Sequence, residues 1–284
     1  MKRTVFETKD AWLEWRKDFR ISATDAASIC GADKYRSRYA LWAEKLGMVE
    51  RSEMPEAAEW GILLEDIVRR KYAEVTGQKV RKYAPWTTFT SDSLEWMVGT
   101  PDGRIAGDGV YEGKTCSLML RGEWQDGPPN KYMFQIQHMM AVMDYTWCGI
   151  ACLVGGQELV HHEVNANSTF QQNLIAEEFA FLGLLRNRIP PAVDGSDSTA
   201  AALAQVFKKP EPTKIDLPDE FLALYADRQN QVESANTSQT RVQEIDNLIK
   251  SFMGNNEEAY LPSGEKFTWK PNKNGVRVFR APKA

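Results

Sequence analysis

A chain of 284 residues, 43% hydrophobic and 26% charged, carries enough apolar material for a substantial core. It falls between one large domain and two small ones, which excludes a disordered chain and a disulfide-stapled miniature fold. No apolar run approaches the ~20 residues that cross a bilayer, and the opening MKRTVFETKDAW lacks the apolar stretch of a secretion signal. The expectation is a soluble cytoplasmic protein with no membrane partner. The formal net charge of -4 is unevenly placed, because Lys266, Lys270, Lys273, Arg277, Arg280 and Lys283 follow one another with no acid between them. An acidic body with a basic tail repels nucleic acid in general and attracts it only locally, which suits a site that neutralises acid with metal. A solvated terminus is the alternative for the tail alone.

Helical spacing comes first along the chain. Ala11 to Arg20 carries Trp12, Trp15 and Phe19 on one face, Thr24-Asp25 reads as an N-cap before AASIC, and a helix from Arg38 to Leu46 ends at Gly47. Pro55 opens a long helix through GILLEDIVRRKYAEV that stops at Gly77. The period then changes to alternation, with strands predicted at Val80 to Thr88, Leu94 to Thr100 and Gly109 to Cys116. A helix from Lys131 to Asp144 precedes two strands, CGIACLV and ELVHHEV, joined as a hairpin at Gly155-Gly156-Gln157. Another helix covers Ser168 to Arg188 and ends before Pro190-Pro191, and a short one lies within Val193 to Phe207.

The stretch KKPEPTKIDLP reads as a linker and divides the chain into domains 1–209 and 210–284. Beyond it a helix is predicted from Asp219 to Met253. Its heptad seam is Phe221, Leu224, Arg228, Gln231, Ala235, Ser238, Val242, Ile245, Ile249 and Phe252, apolar at both ends and polar or small in the middle. Strands EAYLP, KFTWK and GVRVF finish the chain.

The cysteines, Cys30, Cys116, Cys148 and Cys152, fit no common zinc or redox spacing and read as buried thiols. A zinc site combining Cys148 and Cys152 with His161 and His162 is disfavoured, because adjacent residues of a strand point to opposite faces.

Three carboxylates and a lysine carry the chemistry. Asp102 follows Pro101 at the end of a predicted strand, and Glu112 lies in the next strand with Lys114 two residues on, on the same face. If those two strands pair as a hairpin, Asp102 and Glu112 converge at one end of the sheet and Gly113 offers its carbonyl oxygen. Such oxygen ligands suit Mg²⁺, or Mn²⁺ in its place. Glu65 is the third carboxylate, in the middle of the preceding helix among Trp60, Leu63, Leu64 and Val68; by itself a mid-helix Glu is more often solvated.

Together GTPDG (99–103), EGKT (112–115), EWGILLED (59–66), QIQHMM (135–140), RISATDAASICG (20–31) and LVGGQEL (153–159) resemble the YqaJ-like viral recombinase family. This is the phage lambda exonuclease group of the PD-(D/E)xK nucleases, and the resemblance covers roughly residues 10 to 207. It implies an α/β fold with a PD-(D/E)xK restriction-endonuclease-like core, a central mixed sheet flanked by helices, followed by the C-terminal helix and small sheet. It also implies a Mg²⁺-dependent exonuclease, with two ions per site, that digests one strand 5′ to 3′ from duplex DNA ends.

By this resemblance Asp102 and Glu112 bind metal, Gly113 adds its carbonyl, Glu65 is the helix carboxylate near the metals, and Lys114 positions or activates the attacking water. Two cations about 3.5–4 Å apart lower the pKa of bound water and neutralise the leaving oxygen. The family usually has an aliphatic residue where Gly113 stands. Gln135 and Gln137 belong to a motif that borders the active site, although residues two apart on a helix cannot both face it. Arg16, Thr24 and Thr100 match the residues that hold a 5′-terminal phosphate, with Lys17 or Arg20 as alternatives to Arg16. Further implications are a single-strand annealing protein as partner, a closed trimeric ring, and a phage or prophage origin in a bacterial host. The alternatives are a structure-specific endonuclease and a non-catalytic scaffold that binds DNA ends.

Overall fold

The first strand, β1 (Lys2–Val5), leads into α1 (Lys9–Arg16), β2 (Ile21–Ser22), α2 (Ala23–Ile29) and α3 (Arg38–Lys45). The structure is a computed structural model that describes residues 1–16, 19–50 and 55–282; Lys17 and Lys283 lie outside the described residues. The chain forms two compact units, Met1–Pro210 and Glu211–Ala284. The helix expected from Ala11 spans Lys9–Arg16 instead. The N-cap of α2 is Ser22 rather than Thr24, since the Asp25 carboxylate in the first turn reaches back to the Ser22 N–H at 3.0 Å and its hydroxyl at 2.8 Å.

Next come α4 (Glu56–Thr76), β3 (Val80–Arg81), β4 (Thr87–Thr90), β5 (Met97–Gly99), β6 (Gly103–Ile105) and β7 (Gly109–Cys116). Pro55 caps the start of α4 and Gly77 its end. The single strand expected over Val80 to Thr88 is two strands in different sheets. Pro85 interrupts the ladder, and Trp86 turns the chain with φ 55. A 3-10 helix (Leu118–Trp124), α5 (Asn130–Met143), β8 (Trp147–Val154), β9 (Glu158–Asn165), α6 (Ser168–Asn187) and α7 (Asp197–Val206) complete the first unit. Gly155 and Gly156 both take positive φ in the three-residue β8–β9 turn, the conformation of a primed turn closed by the Gln157 N–H on the Val154 carbonyl at 3.1 Å.

Two sheets result. One is four-stranded in the order β1-β4-β5-β2; the other is five-stranded in the order β3-β6-β7-β8-β9, with β7 and β8 parallel and the remaining pairs antiparallel. The fold is therefore mixed α/β, with sheets flanked by helices. Helix α5 packs against β4 and β5 of the first sheet and β7 and β8 of the second, and also against α2 and α6. On the α5 side, Val110, Cys148, Ile150 and Cys152 meet Ile136, Met139, Met140 and Met143. On the other face, Tyr111 and Ala151 pack with Val68 and Tyr72 of α4. The alternation along β7 thus puts Val110 into the first cluster and Tyr111 into the second, and it sends Glu112 and Lys114 toward α5.

The second unit consists of α8 (Glu220–Met253) and an antiparallel sheet of β10 (Glu258–Tyr260), β11 (Lys266–Pro271) and β12 (Arg277–Arg280). Lys266, Lys270 and Arg277 of its basic segment are engaged within the unit. Lys266 and Lys270 pair with Glu258 at 2.8 and 2.5 Å, and Arg277 donates to the carbonyls of Trp269, Gly254 and Asn256. Among the described residues no helix is long and apolar enough to cross a membrane.

Candidate active site

The hairpin that joins Asp102 to Glu112 is β6–β7, and β6 lies between the two strands predicted at Leu94 to Thr100 and Gly109 to Cys116. Strand β5, expected as the partner, belongs to the other sheet. Gly103 pairs with Tyr111, and the ladder stops there because the next residues back are Asp102 and Pro101, which has no N–H to offer. From Glu112 onward β7 is therefore open on that side, and the Asp102 carboxylate takes over: its Oδ2 accepts from the Gly113 N–H at 2.8 Å.

Glu112 is 2% exposed. Its Oε1 accepts from Lys114 Nζ and from Gln135 Nε2, each at 2.5 Å, so β7 and α5 are bonded at the reacting face. Burial, and after it the Glu112 carboxylate, push the Asp102 carboxyl well above its ordinary value. Glu65 adds to the rise, while Lys114 and the Gly113 amide oppose it. Burial works against the Lys114 charge, yet Glu112 and Asp102 outweigh it and hold the amine above the ordinary lysine value. Glu65 faces the same cavity from α4 and pairs with Lys82 at 3.0 Å.

Asp102, Glu65, Lys114 and Gln135 line a cavity of about 430 Å³ walled by α2, α4, β7 and α5, with Thr24, Gly61, Thr115, Lys131 and Tyr132 also on its wall, and the buried Glu112 reaches it through its bonds to Lys114 and Gln135. Lys131 and Tyr132 lie four and three residues before Gln135, one helical turn away, a spacing that could have flagged them from sequence. Lys131 sits 4.7 Å and Lys114 5.2 Å from the Tyr132 ring centroid. Gly113 also has a local reason: a Cβ there would come within 3.1 Å of the Tyr111 hydroxyl, which is buried without a hydrogen-bond partner.

Gln137 is not at this site. Two residues along α5 turn it about 200° from Gln135, and it bonds Asn165 O at 2.9 Å and the Asn167 N–H at 3.0 Å, tying α5 to the end of β9. His138 is fully buried, with Nδ1 2.7 Å from Glu178 and Nε2 3.0 Å from the Val98 carbonyl. His161 lies edge-on to Tyr72, whereas His162 reaches the Trp124 carbonyl, so the adjacent histidines face opposite sides.

The Arg16 guanidinium lies over Trp12 and donates to Ser22 Oγ at 2.8 Å, and Ser22 Oγ is 3.1 Å from Thr24 Oγ1. Thr100 Oγ1 stands 3.4 Å from Thr88 Oγ1, which accepts from Trp12 Nε1 at 2.9 Å. Arg16, Thr24 and Thr100 are thus linked through Ser22, Trp12 and Thr88. Helix α2 has only seven residues and its first turn already carries Asp25, so its N-terminus adds little attraction for a phosphate. Arg20 points elsewhere, donating to the Trp15 carbonyl.

Among the described residues, no three His, Cys, Asp or Glu side chains gather closely enough to hold an ion unaided. Two carboxylates and a backbone carbonyl, in a pocket whose burial disfavours a second negative charge, nevertheless form a donor set that fits a hard divalent cation retaining several waters.

Fold and site together define a mixed α/β protein whose sheets and helices gather two carboxylates, a lysine and a glutamine at one cavity. The profile of the YqaJ-like viral recombinase domain matches residues 11–146. The chain is 30% identical over 276 residues to the uncharacterized protein YqaJ of Bacillus subtilis (strain 168), covering 93% of this chain and 84% of that protein. It belongs to the YqaJ-like viral recombinase family. Its fold is similar to that of the alkaline exonuclease LHK-Exo from Laribacter hongkongensis, with a TM-score of 0.53 and 19% identity, over 64% of this chain and 94% of that one. The complex of LHK-Exo with dAMP matches to the same extent.

Proposed function

We propose that this protein is a metal-dependent DNA exonuclease that digests one strand, 5′ to 3′, from duplex ends and exposes single strand for an annealing protein in phage-type recombination. The observation that carries this reading is the convergence of Asp102, Lys114 and Gln135 on one open cavity, with the buried Glu112 bonded to Lys114 and Gln135. Family membership supports the recombination role, and the dAMP bound by LHK-Exo supports a mononucleotide as product. A trimeric ring and a bacterial cytoplasm, in a phage or prophage setting, complete the proposal.

Asp102, Glu112, the Gly113 carbonyl and Glu65 would hold Mg²⁺, two ions in all with Mn²⁺ as a substitute, which supply charge neutralisation and an activated water for phosphodiester hydrolysis. Lys114, held as a cation, contributes a positive charge and hydrogen-bond donors at the scissile phosphate and orients the nucleophile. Gln135 fixes the Glu112 oxygen that it bonds. Arg16, with the hydroxyls of Ser22, Thr24 and Thr100, would grip the 5′-terminal phosphate, whose extra charge distinguishes an end from the middle of a strand.

The test is digestion of linear and closed-circular duplex across a divalent-metal titration, with strand-specific end labels. Metal-dependent loss of the linear substrate alone, from 5′ ends, is expected. Cutting of closed circles would make the enzyme an endonuclease, and absence of cleavage at every metal concentration would leave only end binding.

A further inference from the structure

Strand β3 forms one edge of the five-stranded sheet, and its pairing with β6 sets Arg81 directly opposite Arg104. Opposite residues of an antiparallel ladder project to the same face, where like charges repel and weaken the pair. Both arginines are exposed, and with Lys79 they line a cavity of about 260 Å³. The Arg104 guanidinium lies 6.0 Å from the Tyr145 ring centroid. Among the described residues, none of these three cations has a carboxylate within ion-pair distance. The chain as a whole carries a net charge of -4, so the cluster runs against its composition.

Protection of an exposed sheet edge accounts for charge on β3 alone. Arg104 lies one strand further in, and edge protection gives no reason to set a second cation against the first. The repulsion is relieved when an anion lies across both guanidiniums, whose planar forks suit phosphate oxygens. The place of the cluster in the fold names the anion. Arg104 is two residues beyond Asp102, at most about 7 Å between Cα atoms. It pairs with Val110, and alternation along β7 puts Val110 on the face that carries Glu112 and Lys114. Thr100, part of the proposed grip on the 5′-terminal phosphate, comes two residues before Asp102. In chain order the basic cluster therefore follows the metal site as the end pocket precedes it.

We propose that Lys79, Arg81 and Arg104 bind the phosphate backbone of the duplex that lies ahead of the cut. This rests on the exonuclease reading and adds to it the surface that holds the undigested substrate. Cations in this place neutralise phosphates of any sequence and attract DNA locally to a chain whose net charge repels it.

The test measures the affinity of the full chain for a 5′-phosphorylated duplex across a salt series, with divalent ions chelated to prevent cleavage. Arg81→Gln with Arg104→Gln should lower the slope of log affinity against log salt by about two, at about 0.9 for each lost phosphate contact. Adding Lys79→Gln should lower it by about one more. In steady-state digestion the loss should appear in KM, which rises about tenfold at about 0.1 M salt. Arg104→Glu sets a carboxylate opposite Arg81, so it should melt no lower than the wild type and yet bind DNA more weakly than Arg104→Gln. A lower melting temperature for Arg104→Glu would remove the premise that the two arginines repel. An unchanged slope in the double variant, with wild-type digestion intact, would overturn the proposal and leave the exonuclease reading standing. A wild type that binds duplex without cleaving it, while the double variant shows the reduced slope, would keep the basic surface and reject the exonuclease. A wild type that binds no duplex would overturn both.

Discussion

Asp102 and Gly113 are joined across the open end of a hairpin, the N–H of one donating to the carboxylate of the other at 2.8 Å. This bond holds Asp102 beside Glu112 although burial and like charge both oppose its ionisation. Asp102→Asn keeps the bond through its amide oxygen and removes the repulsion. It should therefore raise the melting temperature without divalent ions while reducing cleavage by about a thousandfold or more. Glu112→Gln and Lys114→Ala should be equally inactive, and Glu65→Ala severe but less so. Near-normal digestion by Asp102→Asn at millimolar Mg²⁺ would remove the metal site from the proposal.

The two glutamines of α5 separate catalysis from packing. Gln135→Ala should lower the turnover rate and, because it removes a hydrogen bond from the buried Glu112 carboxylate, cost about 1–3 kcal/mol of stability as well. Gln137→Ala leaves the Asn167 N–H and the Asn165 carbonyl without their partner and should cost about 1–3 kcal/mol. Its digestion rate at low temperature should stay near normal. Denaturant melts combined with steady-state rates for both variants decide the matter, and an inverted pattern would contradict the geometry.

Removing the guanidinium in Arg16→Ala should abolish the preference for 5′-phosphorylated over 5′-hydroxyl ends and spare metal binding. The measurement is the initial digestion rate on both substrates. Equal rates in the wild type would reject the phosphate pocket, whereas a preference that persists in Arg16→Ala would move the role to another cation.

Asp25 supplies the pH test. It is buried among Lys45 at 2.9 Å and Arg36 at 3.0 Å, and although burial alone would raise its pKa, these cations and Arg16 hold it far below the ordinary carboxylate range. A depressed folded pKa means that its contribution is present above the unfolded value near 3.8 and is lost as pH falls through the folded one. Asp25→Asn should therefore cost about 3 kcal/mol at pH 7, and the gap to wild type should shrink below about pH 4. A gap that stays constant to pH 3 in denaturant melts would show that the charge is not what stabilises this corner.

Much of the frame was legible in the sequence because its signals are local. Pro55 and Gly77 bracket α4, and Gly155-Gly156 require the β8–β9 turn. The motif residues Asp102, Glu112 and Lys114 stood out, but their juxtaposition was argued through the wrong strand, since a three-residue β6 has too few positions to show alternation. The break at Trp86 escaped notice because its positive φ has no glycine to announce it. Ser22 was overlooked as the cap because Thr24-Asp25 offers the same side-chain chemistry two residues later, and only the bond from Asp25 back to Ser22 decides between them. Lys131 and Tyr132 were missed because a cavity wall is a tertiary property, visible once α5 is placed beside β7.

The brevity of β6 imposes a length constraint on the turn that follows it. Side chains alternate across β7, so a one-residue insertion or deletion between Ile105 and Gly109 that slips the β6–β7 register by one would turn Glu112 and Lys114 toward α4 and bring Tyr111 or its neighbour to the opposite face. Ala106, Gly107 and Asp108 contribute no group to the cavity. They nevertheless act as a spacer: Gly107 is held by its positive φ of 81, and together the three residues set the register that decides which side of the sheet carries Glu112 and Lys114.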